Sequence, residues 1–121
     1  MVAALFDSNI LVDHLRGFPQ AKAEIDRYED RAISIISWME VMVGIPDHLA
    51  EPTRHFLDEF TVIGLNGTVA ERAVSLRRTR RLKLPDAIIW AAAQTTGRLL
   101  VTRNTKDFPT DEPGVRTPYI L

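Results

Sequence analysis

The sequence predicts an α/β fold, a central parallel sheet of about five strands with helices on its faces. Three observations predict it. Short β-type apolar runs alternate with helix-type runs along the whole chain. Several helix ends carry capping signals that separate the two kinds of run. The last long helix is joined to the next strand only by Gly97-Arg98, a turn so short that the two must run antiparallel.

The first strand is read at 2–6, ahead of a helix from Ser8 to Arg16 that Gly17 ends as a left-handed residue. A second helix runs from Pro19 to Glu29. The second strand covers 32–36, and a short helix follows from Trp38 to Val43. Pro52 opens the first turn of a helix to Glu59, and the third strand is 61–65. Thr68-Val69-Ala70-Glu71 reads as a capping box for a helix over Val69 to Arg80. Pro85 opens the helix to Thr96, Gly97 ends it, and the fourth strand is 99–102. A fifth, less regular run lies at 117–120.

With 121 residues and no repeat, low-complexity tract or linker, the chain reads as one domain over 1–121. Apolar content of 45% and charged content of 26% suit a water-soluble core-forming chain. No apolar run reaches membrane-spanning length, and the N-terminus lacks a signal-peptide pattern. The absence of cysteine excludes disulfides and thiolate metal sites and fits a cytoplasmic location. At a net charge of −1, a nucleic-acid partner needs a local basic patch. Arg77, Arg78, Arg80, Arg81 and Lys83 supply one, five of the fifteen basic residues.

Four acids stand where such a fold gathers ligands. Asp7 directly follows the first strand. Glu40 lies about one helical turn beyond the second, and Asp107 lies in the loop after the fourth. Asp86 opens a helix antiparallel to the fourth strand, so that helix's start lies roughly 17 Å back toward the same edge. Carboxylates in one crevice repel, and a cation among them relieves the repulsion. The donors are all oxygens, with no His or Cys at ligand spacing, which points to Mg²⁺ or Mn²⁺. Each acid also has a plainer role. Asp7 can cap the helix after it, Ser37-Trp38-Met39-Glu40 fits a capping box, Asp86 is a favourable first-turn charge, and Asp107 is a loop residue. Four separate structural roles do not require one shared sheet edge.

Three segments carry a resemblance: Asp7-Ser8-Asn9-Ile10-Leu11-Val12-Asp13, then Arg81-Leu82-Lys83-Leu84-Pro85-Asp86-Ala87-Ile88-Ile89-Trp90, then Leu100-Val101-Thr102-Arg103-Asn104-Thr105-Lys106-Asp107-Phe108. With the Glu40 helix between the first two, they resemble the PIN-domain nucleases, specifically VapC-like toxins of type II toxin–antitoxin modules. The resemblance implies a three-layer sandwich around a five-stranded parallel sheet. It also implies homodimerisation, Mg²⁺- or Mn²⁺-dependent endoribonuclease activity and inhibition by a cognate antitoxin. Asp7, Glu40 and Asp86 match the family's first three acidic positions. The fourth falls at Asp107, with Asn104 standing where some relatives carry the acid. Ser8 stands where Thr is more usual.

On this reading Asp7, Glu40, Asp86 and Asp107 are both the catalytic and the metal-holding set. Asn9, Thr102 and Asn104 support them by hydrogen bonds. Water attack on the phosphodiester leaves a 5′-phosphate and a 3′-hydroxyl. Arg77, Arg80, Arg81, Lys83 and Arg103 are expected to dock RNA phosphates, against the plainer reading of a solvated helix face. Trp38, Met39, Val41, Met42 and Ile45 cover more than one helical face. That is expected of a helix buried by a second subunit or an antitoxin, or of a short helix buried all round. A competing function is a catalytically weak binding module. An aspartyl-phosphate phosphatase wants Asp-x-Asp after the first strand, and a P-loop wants a Gly-rich loop before Lys; neither is present.

Overall fold

A computed structural model describes residues 2–121. Five strands form one sheet in the order β3-β2-β1-β4-β5, every neighbouring pair parallel. They are β1 (Ala4–Phe6), β2 (Arg31–Ser34), β3 (Thr61–Ile63), β4 (Leu99–Val101) and β5 (Val115–Arg116). The helices are α1 (Ser8–Leu15), α2 (Pro19–Asp26), α3 (Ile35–Val43), α4 (Ala50–Leu57), α5 (Gly67–Arg80) and α6 (Leu84–Thr95), with a single 3-10 turn at Asp47–Leu49.

Strand side chains alternate between faces, so β1 divides its apolar residues between two cores. Leu5 joins the core made with α5 and α6, where Trp90, Leu100 and Phe108 are fully enclosed. Ala4 and Phe6 join the other, with Ile10, Leu11, Ile33 and Leu57 from the α1–α4 side. Helices therefore cover both faces of the sheet, giving the three-layer α/β sandwich expected. Residues 87–93 of α6 are all buried, which explains its continuous apolar sequence. No helix among the described residues is long and apolar enough to cross a membrane.

Four local expectations are corrected. Helix α3 begins at Ile35, and Ser34 caps it, its Oγ accepting from Ile36 N at 3.1 Å. The strand therefore ends at Ser34, two residues before the expected end. Ser37 is buried inside the helix and is not its cap. Helix α5 is capped by Asn66, whose Oδ1 accepts from Val69 N at 2.9 Å. A carboxamide two residues upstream thus takes the role expected of Thr68. The fifth strand is Val115–Arg116 and not 117–120. Val115 enters the core while Pro118 has no N–H to offer a ladder, so the chain leaves the sheet there. Lastly, α2 ends at Asp26, three residues before the expected Glu29. Positive φ at Gly17 (86°) and Gly97 (67°) matches the left-handed helix ends expected.

Candidate active site

The carboxyl ends of β1, β2 and β4 are adjacent because β1 lies between the other two in the sheet. Asp7 leaves β1 at that edge. Its main-chain N–H donates to Val101 O at 2.9 Å, so strand pairing itself sets the position of its Cα. The side chain is buried and held by three donors. Oδ1 accepts from Ser8 N at 2.7 Å, and Oδ2 accepts from Thr102 Oγ1 at 2.7 Å and Asn9 Nδ2 at 3.2 Å. Burial pushes its pKa up to about 6. The Thr102 and Ser8 hydrogen bonds oppose that rise, and the charges of Asp86 and Glu40 add to it.

Asp86 sits in the first turn of α6, as the antiparallel argument required. Partial burial raises its pKa, and the charges of Asp107 and Glu40 raise it further. Asp7 thus feels the charges of Asp86 and Glu40, and Asp86 those of Glu40 and Asp107, so Asp107 joins the group through Asp86. Glu40 is exposed in the second turn of α3, its Oε1 accepting from Ser8 Oγ at 2.7 Å. Ser8 Oγ also lies 2.9 Å from Ser37 Oγ, so two hydroxyls steer that carboxylate. Asp107 and Asn104 hold each other: Asn104 Nδ2 donates to Asp107 Oδ2 at 2.9 Å, and Asp107 N donates to Asn104 Oδ1 at 3.2 Å. Asn104 N donates to Thr102 Oγ1 at 3.0 Å, which links this loop back to Asp7.

Among the described residues, no three of the acidic or imidazole side chains stand close enough to form a closed metal cage. Asp7, Glu40 and Asp107 are each turned onto a local donor, as mutual repulsion favours, while Asp86 accepts no hydrogen bond among the described residues. The donor chemistry nevertheless fits a hard divalent cation. It is all oxygen, framed by neutral hydroxyls and amides, and two of its carboxyls have pKa values raised first by burial and then by neighbouring acids.

Asn9, Thr102 and Asn104 are in contact with this network, as the sequence suggested. The basic residues divide. Arg77 Nη1 donates to Leu82 O at 2.7 Å and ties down the turn after α5. Arg80 pairs with Glu112 and lies over the Trp90 ring, 5.3 Å from its centroid. Arg103 forks onto Asp13 through Nε at 2.7 Å and Nη2 at 2.9 Å. Arg81 and Lys83 are exposed and form no ion pair among the described residues. His14 stacks on Phe56 with centroids 4.4 Å apart, while His48 and His55 are exposed.

The sequence did not reveal Ser8 as the partner of Glu40, with Ser37 behind it, nor Asp13, itself held by Tyr119, as the partner of Arg103. One signal was available for part of this: Asn9 and Asp13 lie four apart, on one face of α1. Nothing local joins Asp13 to Arg103.

Helix α3 is only partly covered. Met39 is 44% and Val43 87% exposed. A groove of about 350 Å³ lies on one side, lined by Val12, Leu15, Arg16, Glu40, Val41, Gly44 and Ile45. Another of about 380 Å³ lies on the other, with Trp38, Met39 and Met42 in its wall. The alternative of a short helix buried all round is thereby set aside.

Comparison with known proteins agrees with this architecture. The PIN domain family matches residues 4–110. A chain in the toxin–antitoxin complex from Klebsiella pneumoniae is 49% identical, with a TM-score of 0.94 over 98% of this chain and 100% of that one. FitAcB from Neisseria gonorrhoeae is similar at 22% identity and a TM-score of 0.80, over 98% and 99%. DNA-bound VapBC from Salmonella typhimurium is similar at 22% identity and 0.78, over 96% of each chain. At such identities the last two speak to fold alone. No curated protein matches the chain.

Proposed function

The chain belongs to the PIN domain family, and from that premise we propose that it is the VapC-like toxin of a type II toxin–antitoxin pair, an endoribonuclease dependent on Mg²⁺ or Mn²⁺. The observation that carries the reading is the placement of Asp7 after β1, Glu40 in α3, Asp86 in the first turn of α6 and Asp107 after β4, at the carboxyl edge of adjacent strands. Crowding of this kind opposes folding unless positive charge enters it.

Asp7 and Asp86 are the residues to hold the cation, with Glu40 and Asp107 beside them. Bound there, a divalent cation would supply charge neutralisation for the phosphate and would acidify water. Thr102, Asn9 and the Ser8 N–H keep Asp7 aimed into the site. Glu40, exposed and steered by Ser8, takes the proton of the attacking water. The new P–O bond comes from water and the P–O3′ bond breaks, leaving a 5′-phosphate and a 3′-hydroxyl. Arg81 and Lys83, unpaired beside Asp86, meet the RNA backbone.

The antitoxin is the partner that suits the grooves flanking α3, one of which opens at Glu40. The 49% identical chain belongs to a toxin–antitoxin complex, which supports that partner. A homodimer suits the remaining apolar exposure.

The test is cleavage of a mixed RNA pool with Mg²⁺, Mn²⁺ or EDTA, beside Asp7→Asn. Metal-dependent cutting that is lost in the variant and leaves 5′-phosphate ends is the expected result. A 2′,3′-cyclic phosphate product overturns the water-attack scheme. No cutting and no metal binding by folded protein favours a binding module.

A further inference from the structure

Asp13 is a buried carboxylate that the proposed reaction does not use, 2% exposed and five residues beyond the α1 N-terminal Ser8. It accepts from Arg103 Nε at 2.7 Å, Arg103 Nη2 at 2.9 Å and Tyr119 Oη at 2.8 Å. One turn back on the same face of α1, Asn9 Oδ1 accepts from the main-chain N–H of Arg103 at 3.1 Å. Two side chains of one helix face thus grip one residue, by its backbone and by its guanidinium.

The neighbours of Arg103 point the other way. Thr102 donates to Asp7, and Asn104 holds Asp107. At its far end this loop is closed by Phe108, fully buried and edge-on to Trp90 with centroids 5.6 Å apart. Arg103–Asp13 is therefore the near anchor and Phe108–Trp90 the far one. Asp107 is carried between them.

We infer that Asp13 and Arg103 form a positioning pair that sets the 102–107 loop against Asp7, and that Arg103 is not an RNA-docking residue. The second half follows from the first. For Arg103 to turn to a phosphate, it must break a two-point bond and leave a buried carboxylate short of charge, a cost that an exposed phosphate contact does not offset. The inference rests on the nuclease reading for its consequence, metal affinity, and on geometry alone for the placement of the loop.

The experiment uses the full chain with Asp13→Asn, Arg103→Gln, the double variant and Arg103→Lys. Three quantities are read: Mn²⁺ affinity by calorimetry, salt dependence of RNA binding in EDTA, and hydrogen exchange at the Arg103 and Asn104 amides. Each single variant should weaken Mn²⁺ binding about tenfold, as loss of supporting contacts around a metal site does. The double variant should be no worse than either single one. Both amides should exchange faster, and Arg103→Lys should recover part of the loss, since it keeps the charge without the fork. The RNA salt slope should not change.

A salt slope that drops by about one in Arg103→Gln, with Mn²⁺ affinity and amide exchange intact, makes Arg103 a phosphate contact and overturns the proposal. Additive losses, or no change in exchange, overturn it as well. If Asp13→Asn does not fold, Arg103→Lys and Arg103→Gln carry the comparison. If the wild type binds no Mn²⁺, the nuclease reading fails, while amide exchange still decides whether the pair holds the loop.

Discussion

Ser8 and Glu40, 32 positions apart, are joined by a 2.7 Å hydrogen bond from the Ser8 hydroxyl to the Glu40 carboxylate. The bond exists because β1 and β2 are parallel neighbours and each is followed at once by a helix. Ser8 opens one helix and Glu40 lies in the other, so two consecutive strand-to-helix turns face each other across the edge.

Ser8→Ala should leave the fold intact and release Glu40 from that orientation. We expect kcat/KM for RNA cleavage to fall about tenfold, roughly 1.4 kcal/mol of transition-state stabilisation. Ser8→Thr keeps the hydroxyl and should retain most of the activity. Steady-state cleavage by the three proteins decides it, and equal rates for Ser8→Ala and the parent would refute the role.

Asp7 imposes a pH dependence on stability. Its folded pKa of about 6 lies above its ordinary 3.8, chiefly through burial. Between these values the folded state binds more protons than the unfolded one, so stability falls as pH rises through that window. The loss reaches about 3 kcal/mol above pH 6 at 1.36 kcal/mol per unit. In metal-free buffer, denaturation from pH 4 to 7 should show this decline in the parent and not in Asp7→Asn. Adding Mn²⁺ at pH 7 should restore stability to the parent alone.

Glu24 gives the opposite sign. Burial alone would raise its pKa. Arg116, at 2.7 and 3.1 Å, and the Tyr28 hydroxyl, at 2.8 Å, hold it below the ordinary carboxylate value. Its contribution is fully present above the unfolded pKa of about 4.5 and is lost as pH falls through the depressed folded value. Arg116→Ala leaves this buried carboxylate only the Tyr28 hydroxyl and a 3.7 Å contact with Arg27, and should cost about 3 kcal/mol, the low end for such pairs because Arg116 is one-third exposed. Urea denaturation at pH 7 measures the loss, and an unchanged midpoint would count against the pair.

The basic turn after α5 separates charge from structure. Arg81 adopts φ 56°, a left-handed helix end that favours glycine. Arg81→Gly should stabilise the fold by up to about 1 kcal/mol while removing a cation. Combined with Lys83→Gln, it should weaken RNA binding in EDTA and lower the salt slope by about two. Arg80→Ala should instead destabilise the protein, since Arg80 is engaged with Glu112 and Trp90. A salt slope that does not respond to the Arg81 and Lys83 changes would leave this turn with only a structural role.

The sequence by itself determined the α/β class, nearly every element, and the sheet edge that Asp7, Glu40, Asp86 and Asp107 share. These follow from local periodicity, from glycines at left-handed ends, and from the antiparallel return of α6 through Gly97-Arg98. Tertiary structure alone decided what each polar side chain does at that edge. Ser37 has the spacing of a helix cap, yet packing buries it against Ser8 while Ser34 takes the cap. Arg103 looks like a free cation beside an acid, yet it is bonded to Asp13, 90 positions away. Backbone conformation is governed by neighbours a few residues apart, which a sequence displays. The partner of a charged side chain is whichever opposite charge the folded sheet brings within 3 Å, and sequence distance carries no trace of it.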